Sequence, residues 1–254
     1  MNKLPNDIDE ALTQAIEATK AALQDGYSRI QIEIVIPEIE LQAQSLAAQF
    51  IPALLEEGIQ PKVFFPDTGA AALARRDWQE APFKVKVEDI GTSRSPVDSK
   101  IAPEDEFFLL IALSSVEVAQ AEKLCNLAGD RPVVMLIPRL EDVSIVGIGY
   151  AARQLRERFL TTIESCYYIK SFGEAALYRC YPSPWQIWLE SNGQYKLIAE
   201  RPEKPMGDAV EIILAEATAT VKTDSSTSVN QTPATPKRKG FLAEIQKFLR
   251  ALSN

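Results

Sequence analysis

No histidine occurs among the 254 residues. Ser-His-Asp and Cys-His catalysis, His-ligated zinc and His proton shuttles are therefore closed to this chain. Cysteine is scarce as well: Cys125, Cys166 and Cys180 are odd in number and show no Cys-x-x-Cys spacing. Neither a disulfide framework nor a four-Cys metal site fits them, and buried thiols in a reducing compartment are expected. No apolar run reaches the roughly 18 residues of a transmembrane helix, and MNKLPNDIDEALTQ lacks the apolar core of a signal peptide. A cytoplasmic protein is the expectation. The acidic balance, net charge -8 with an isoelectric point near 4.9, argues against nucleic acid as a partner, because that contact uses a basic face. Also missing are a Gly-Lys-Ser/Thr phosphate loop and a G-x-G-x-x-G fingerprint, so no motif names a cofactor and no ligand set names a metal.

What is present reads as alternating strands and helices. Asp7 and Glu10 form a capping-box pattern ahead of a helix to Gln24, with Ile8, Leu12, Ala15, Ile16, Thr19 and Leu23 at three- and four-residue spacing and Gly26 beyond its end. Arg29 to Ile36 alternates strictly, isoleucines on one side and Gln31, Glu33 and Val35 on the other, as a strand with one dry and one mixed face does. Glu40 to Leu55 returns to helical spacing through Leu41, Leu46, Phe50 and Leu54, with Pro52 expected to kink or divide it. Phe83 to Val87 has the alternation of an edge strand, and the polar stretch 89–105 is a long connection. The uninterrupted runs at Phe107 to Leu113 and Val133 to Ile137 suit strands covered on both faces. A helix between them, capped by Ser114 or Ser115 with Val116, Ala119, Ala121 and Leu124 inward, makes a parallel crossover unit. Tyr150 to Ile163 follows as a helix. Short aromatic strands after Cys166 then form an antiparallel meander, and a helix from Asp208 to Val221 closes the body.

The stretch KVFFPDTGAAALARRDW, Lys62 to Trp78, is a strand that turns sharply into a helix. Such a turn points backbone N–H groups at the carboxyl end of a sheet, where open α/β folds bind ligands. Asp67, Thr68, Gly69 and Ala70 are therefore ligand-binding candidates, with Ser114 and Ser115 on the second such turn. The alternative is that Asp67 or Thr68 simply caps the helix. Arg153 and Arg156, sharing one helix face, are either a second anion site or a solvated face paired with Glu157 or Glu164. The aromatic residues Tyr178, Tyr181, Trp185, Trp188 and Tyr195 are either a stacking platform or core.

Residues 222–239 contain almost no apolar side chains and are expected to be a disordered linker. Beyond it, 240–252 is amphipathic: Phe241, Leu242, Ile245, Phe248, Leu249 and Leu252 share one stripe, preceded by Lys237, Arg238 and Lys239. Residues 236–254 carry five basic groups and one acid, a net +4, which leaves -12 for the rest of a chain totalling -8. A helix of this length, about 20 Å, is too short to cross a bilayer. It can lie on an anionic lipid surface, occupy a partner's groove, or dock on its own body.

Leu4-Pro5, Gly26-Tyr27-Ser28-Arg29-Ile30, Phe65-Pro66-Asp67-Thr68-Gly69-Ala70-Ala71-Ala72-Leu73-Ala74 through Asp77-Trp78, and Tyr181-Pro182-Ser183-Pro184-Trp185-Gln186 resemble a family of uncharacterised domains from cyanobacteria and chloroplasts. That family includes the chloroplast "low photosystem II accumulation" proteins. The resemblance covers most of 4–202 and implies a role in assembly or maintenance of photosystem II, with a photosynthetic membrane protein as client. It carries over no catalytic residue.

The expectation is one α/β domain over 4–221: a three-layer mixed sheet with a parallel centre, an antiparallel C-terminal meander and helices on both faces. The function expected of it is that of a non-enzymatic assembly or regulatory factor, peripheral on the cytoplasmic face of the thylakoid or plasma membrane. The alternative is an enzyme or sensor that binds a nucleotide or phosphorylated small molecule at the strand-to-helix turns.

Overall fold

The computed structural model of the protein describes residues 3–91, 95–140, 150–191, 193–205 and 207–224. The helices are α1 (Ile8–Gln24), α2 (Ala43–Glu56), α3 (Thr68–Asp77), α4 (Val118–Ala128), α5 (Tyr150–Arg158) and α6 (Gly207–Asp224). The strands are β1 (Arg29–Val35), β2 (Pro61–Phe65), β3 (Lys86–Asp89), β4 (Phe107–Ile111), β5 (Val133–Leu136), β6 (Glu164–Phe172), β7 (Ala175–Cys180), β8 (Trp185–Ser191) and β9 (Gln194–Arg201). They form a single sheet ordered β3-β2-β4-β5-β1-β6-β7-β8-β9. The first six in that order run parallel, and β6 to β9 are an antiparallel meander. This is the mixed α/β architecture with a parallel centre that the patterning implies. Strand β6 belongs to both halves, parallel to β1 on one edge and antiparallel to β7 on the other.

The apolar runs explain which strands are sandwiched. In β4, Phe107, Leu109 and Ile111 face a core shared with α1, α2 and α3, while Phe108 and Leu110 face a second core built with α4 and α5. A third cluster lies on the same side as the second, where α6 sets Val210 against Tyr168, Leu177, Trp185 and Ile187. One face is thus covered by α1 to α3 and the other by α4 and α5 at one end and α6 at the other. In β1 only the isoleucine side is buried, Ile30, Ile32 and Ile34. The fifth strand of nine therefore presents Gln31, Glu33 and Val35 to the seam between the two helical groups.

Local chemistry places the helix ends. Asp7 Oδ1 accepts the Glu10 N–H at 2.8 Å, but the Glu10 carboxylate returns to the Asn6 N–H at 2.8 Å and its side-chain amide at 2.6 Å, so the box closes one residue early. Gly26, at φ 90, then lets Tyr27 N–H reach the Ala22 carbonyl at 3.0 Å. Several details differ from expectation, among them the end of α5, which stops at Arg158 rather than Ile163. Helix α2 runs through Pro52 undivided, fixed on both sides by buried Phe50, Ile51 and Leu54. Leu41, expected on its apolar stripe, is 76% exposed, because 39–42 winds as a tighter 3-10 turn that changes the phase. The edge strand starts at Lys86 rather than Phe83, whose ring packs edge-on against Trp78 at 5.5 Å and anchors the chain before pairing begins. Val116 and Ala119 are exposed because the chain spends Ser114 to Glu117 in a turn before α4 starts.

Cys125 and Cys166 are buried, and burial pushes both thiols up to about 12; Cys180 is half-buried and is also raised. Helix α6 continues to Asp224, three residues beyond the end expected for it. The remainder of the expected linker and the amphipathic stretch 240–252 lie outside the described residues.

Candidate functional site

Strands β5 and β1 are neighbours whose outgoing connections part. The chain leaves β1 for α2 on one face and leaves β5 for α5 on the other. In an open α/β sheet this reversal leaves a crevice at the carboxyl ends of the two strands, the usual place for a ligand. The backbone there is unusual. Glu38, Ala112 and Ile137, which follow β1, β4 and β5, have φ values of 62, 50 and 56. These are left-handed conformations at non-glycine residues, and for the β-branched Ile137 the cost is about 1–3 kcal/mol. Hydrogen bonds hold the last two, Ile137 N–H to the Ile32 carbonyl at 2.8 Å and Ala112 N–H to the Leu136 carbonyl at 2.9 Å, and beyond them Arg139 N–H reaches the Leu113 carbonyl at 2.7 Å. Strain held on three adjacent strands, at one end of a sheet, is a common mark of a functional site.

A cavity of about 870 Å³ opens from this crevice across the β1–β6–β7–β8 surface, between α5 and the Lys204 segment that leads into α6. Its size is that of a pocket for a nucleotide-sized molecule. Five cationic side chains face it, Arg139, Arg156, Lys170, Arg179 and Lys204, against two carboxylates, Glu33 and Glu164. In a chain of net charge -8 that local excess of positive charge is the reverse of the whole.

The charges are held in place. Glu33, on the mixed face of β1, accepts from Ser165 Oγ at 2.9 Å and Gln31 Nε2 at 3.0 Å, with Lys204 Nζ at 3.5 Å. The Lys204 ammonium also stands 4.1 Å above the Tyr168 ring and 5.3 Å from that of Trp185. Burial, and after it the Glu33 charge, raises the Tyr168 hydroxyl above its ordinary value, so it stays protonated. Arg179 pairs with Glu164 and lies 5.4 Å from the Trp185 ring, while its Nε is buried without a partner among the described residues. Arg139 forks onto Glu40 at 2.6 and 3.1 Å. Lys170 has no side-chain partner among the described residues.

The candidate residues separate. Ser114 and Ser115 line the cavity. Ser114 does not cap α4; its hydroxyl donates to Glu117 at 2.6 Å and its N–H to the same carboxylate at 2.9 Å. Ser115 is 7% exposed and faces the open space. Asp67, Thr68, Gly69 and Ala70 do not line it. Asp67 Oδ1 accepts the Ala70 N–H at 2.9 Å and caps α3, and a Cβ at Gly69 would sit 3.0 Å from that oxygen, so glycine leaves room for the cap. Of the α5 arginines, Arg156 lines the cavity and Arg158 instead pairs with Glu122 at 2.8 Å. The aromatic residues do not form one platform, since Tyr178 and Trp185 lie on opposite faces of the sheet. Lys237, Arg238, Lys239, Phe241, Leu242, Ile245, Phe248, Leu249 and Leu252 lie outside the described residues. Among the described residues no cluster of three or more potential ligands could hold a metal, and no helix is long and apolar enough to cross a membrane.

Glu33, Arg139, Lys170, Arg179 and Lys204 were not singled out from the sequence. One signal was available: a strand at the middle of a sheet with charge on alternate positions must present that charge to something other than a helix. The model of one protein family, described as a domain of unknown function, matches residues 5–212. The match contains every strand and reaches into the first turns of α6, so the whole cavity lies within it.

Proposed function

From the premise that the chain belongs to this family of domains of unknown function, DUF1995, we propose that its body binds a nucleotide or another phosphorylated small molecule and acts as a regulatory or assembly factor rather than as a catalyst. The observation that supports the reading is the cationic cavity at the strand reversal of an otherwise acidic protein. Phosphate groups are recognised by charge-assisted hydrogen bonds from lysine and arginine, which Lys170, Arg179 and Lys204 can supply. The carboxylates that face the same space are engaged by neighbours, the arrangement of a floor that orients a ligand. Differential scanning fluorimetry against nucleotides and sugar phosphates, with and without magnesium, tests this. A ligand at a hundred times its Kd contributes about 2.7 kcal/mol, which for a domain of this size raises Tm by roughly 5–10 °C. No rise with any compound overturns the proposal.

A second reading concerns place. The chain would work at the surface of a photosynthetic membrane, thylakoid or plasma, as a peripheral factor in photosystem II accumulation, with a membrane protein as client. Its support is the charge division, +4 over 236–254 on a body of -12, together with the amphipathic pattern of 240–252. Each Lys or Arg near anionic lipid adds about 1 kcal/mol. Full-length protein is expected to float with anionic liposomes and a chain ending at Thr235 to stay at the bottom of the gradient. Equal behaviour of the two rejects the lipid anchor.

A further inference from the structure

We propose that the amphipathic segment 240–252 docks on the chain's own body, across the face of β8 and β9 that α1 leaves open. Helix α1 covers β6 and β7, where the Tyr167 and Tyr178 hydroxyls donate to Gln14 Oε1 at 3.0 and 2.8 Å. Among the described residues no helix covers β8 and β9 on that side. Gln186, Trp188, Glu190, Tyr195, Leu197 and Glu200 point there. Trp188 and Tyr195 pack at the margin of the α1 core, Trp188 is paired with Leu197 and Glu190 with Tyr195, and Gln186 Nε2 donates to Glu200 Oε1 at 2.9 Å.

This face is apolar at its centre and acidic at both ends. The Trp188 indole N–H donates to Gln186 Oε1 at 3.2 Å, which holds the half-buried ring beside Leu197, 42% exposed. Glu190 and Glu200 lie at opposite ends of the Trp188–Leu197 pair. Burial, and after it the Glu190 and Glu174 charges, raises the Tyr195 hydroxyl. No lysine or arginine of β8 or β9 offsets these acids, because Lys196 and Arg201 pair with Leu189 and Trp185 and so point to the α6 side.

The segment has the matching chemistry. Phe241, Leu242, Ile245 and Phe248 share its apolar stripe, and Lys237, Arg238 and Lys239 precede it. As a helix it would be about 20 Å long and 10–12 Å across, the footprint of two strands of seven and eight residues spaced about 4.8 Å apart. A second copy of the body is the poorer occupant, since its Glu190 and Glu200 would meet their own kind. Topology brings the segment near. The edge strand β9 leads into α6, which through Leu214 stays over the opposite face of β6 to β9. The polar stretch 225–239 spans roughly 20 Å as a random coil, enough to round a single edge strand. A tether of that kind keeps the local concentration near millimolar, so a weak contact suffices.

The docking belongs to the chain in solution and does not depend on a ligand in the cavity. Trp188 reports it, because Trp78 and Trp185 are buried. Emission and acrylamide quenching of the full chain are compared with those of Phe241→Glu/Phe248→Glu, which leaves the body untouched. That variant is expected to emit at longer wavelength and to be quenched more steeply, and Trp188→Phe in both backgrounds is expected to remove the difference. Glu190→Lys/Glu200→Lys is expected to reproduce the change, and adding Lys237→Glu, Arg238→Glu and Lys239→Glu to it is expected to restore the parent's quenching. Equal spectra and quenching in the parent and Phe241→Glu/Phe248→Glu overturn the docking, and so does failure of the reversed tail to rescue the reversed face. A difference seen only with anionic liposomes present gives the segment to lipid and overturns it as well. Sedimentation velocity is expected to show a monomer at every concentration; a dimer that Phe241→Glu/Phe248→Glu abolishes would seat the segment on a neighbouring copy and overturn docking within one chain.

Discussion

Asp105→Ala is expected to lower the unfolding free energy by about 3–5 kcal/mol, the loss that follows when one member of a buried ion pair is removed. Lys62 is the second residue of β2 with its side chain 10% exposed, and its Nζ is 2.8 Å from Asp105 Oδ2, whose side chain is 4% exposed. Without the carboxylate the ammonium keeps, among the described residues, the Lys100 carbonyl at 2.5 Å. Asp105 also accepts the Ala102 N–H at 2.8 Å and faces Lys86 at 3.5 Å, so its removal loosens the end of the connection that enters β4. A urea titration measures the change, and a loss below about 1 kcal/mol would contradict the assignment. Because replacing a whole buried pair by apolar groups is often nearly neutral, the double variant Lys62→Met/Asp105→Leu should be more stable than Asp105→Ala alone. The same carboxylate gives a pH signature. Burial pushes Asp105 upward, but the Lys62 hydrogen bond, the Ala102 N–H and the two lysine charges outweigh it and hold it below its ordinary value; Asp89, with Lys100, behaves alike. A depressed folded-state value contributes stability that is present above the unfolded value of 3.8 and lost as pH falls through the lower folded one. The acid limb of the stability curve should therefore fall below about pH 4, and Asp105→Asn should flatten it.

The contrast between what patterning revealed and what it concealed has a physical basis. Continuous apolar runs suit strands dry on both faces, so Phe107 to Leu113 and Val133 to Ile137 announced sandwiched parallel strands, and the strands they contain, β4 and β5, are the middle two of the six parallel ones. Strict alternation at Arg29 to Ile36 announced a strand but not its place. That place, fifth of nine, is what turns Glu33 from a solvated charge into the floor of a cavity. The cationic groups around it come from residues 139, 156, 170, 179 and 204, on separate elements, and only strand order and register bring them together. Ser114 and Ser115 were visible because a strand-to-helix turn is a local event. The matching turn at Asp67 was visible for the same reason, yet its carboxylate is consumed by the α3 cap. The left-handed Ile137 had no local signal at all, since a β-branched residue disfavours the conformation that the surrounding hydrogen bonds impose on it.

Val35→Trp is expected to abolish phosphate-ligand binding while leaving stability within about 0.5 kcal/mol of the parent, as for exposed substitutions that disturb no packed feature. Val35 closes β1 and lines the cavity, 37% exposed, opposite Lys170 on β6. An indole there grows into open space rather than into the packed isoleucine face of the strand, so it need not strain the core as a small-to-large change inside it would. It does occupy part of the cavity floor beside the cationic groups that a phosphate would engage. The measurement is titration with the compound that stabilises the parent most, expected to fall by about a hundredfold or below detection, since a blocked site loses several contacts together. Leu197→Trp on β9, 42% exposed and away from the cavity, provides the matched control and should bind as the parent does. Wild-type affinity in Val35→Trp would move the ligand away from the strand reversal altogether. Loss in both variants would point to a general effect of surface tryptophan. Loss in Val35→Trp alone, with an unchanged urea midpoint, ties recognition to the seam between α5 and α6, where among the described residues no helix covers the charged face of a central strand.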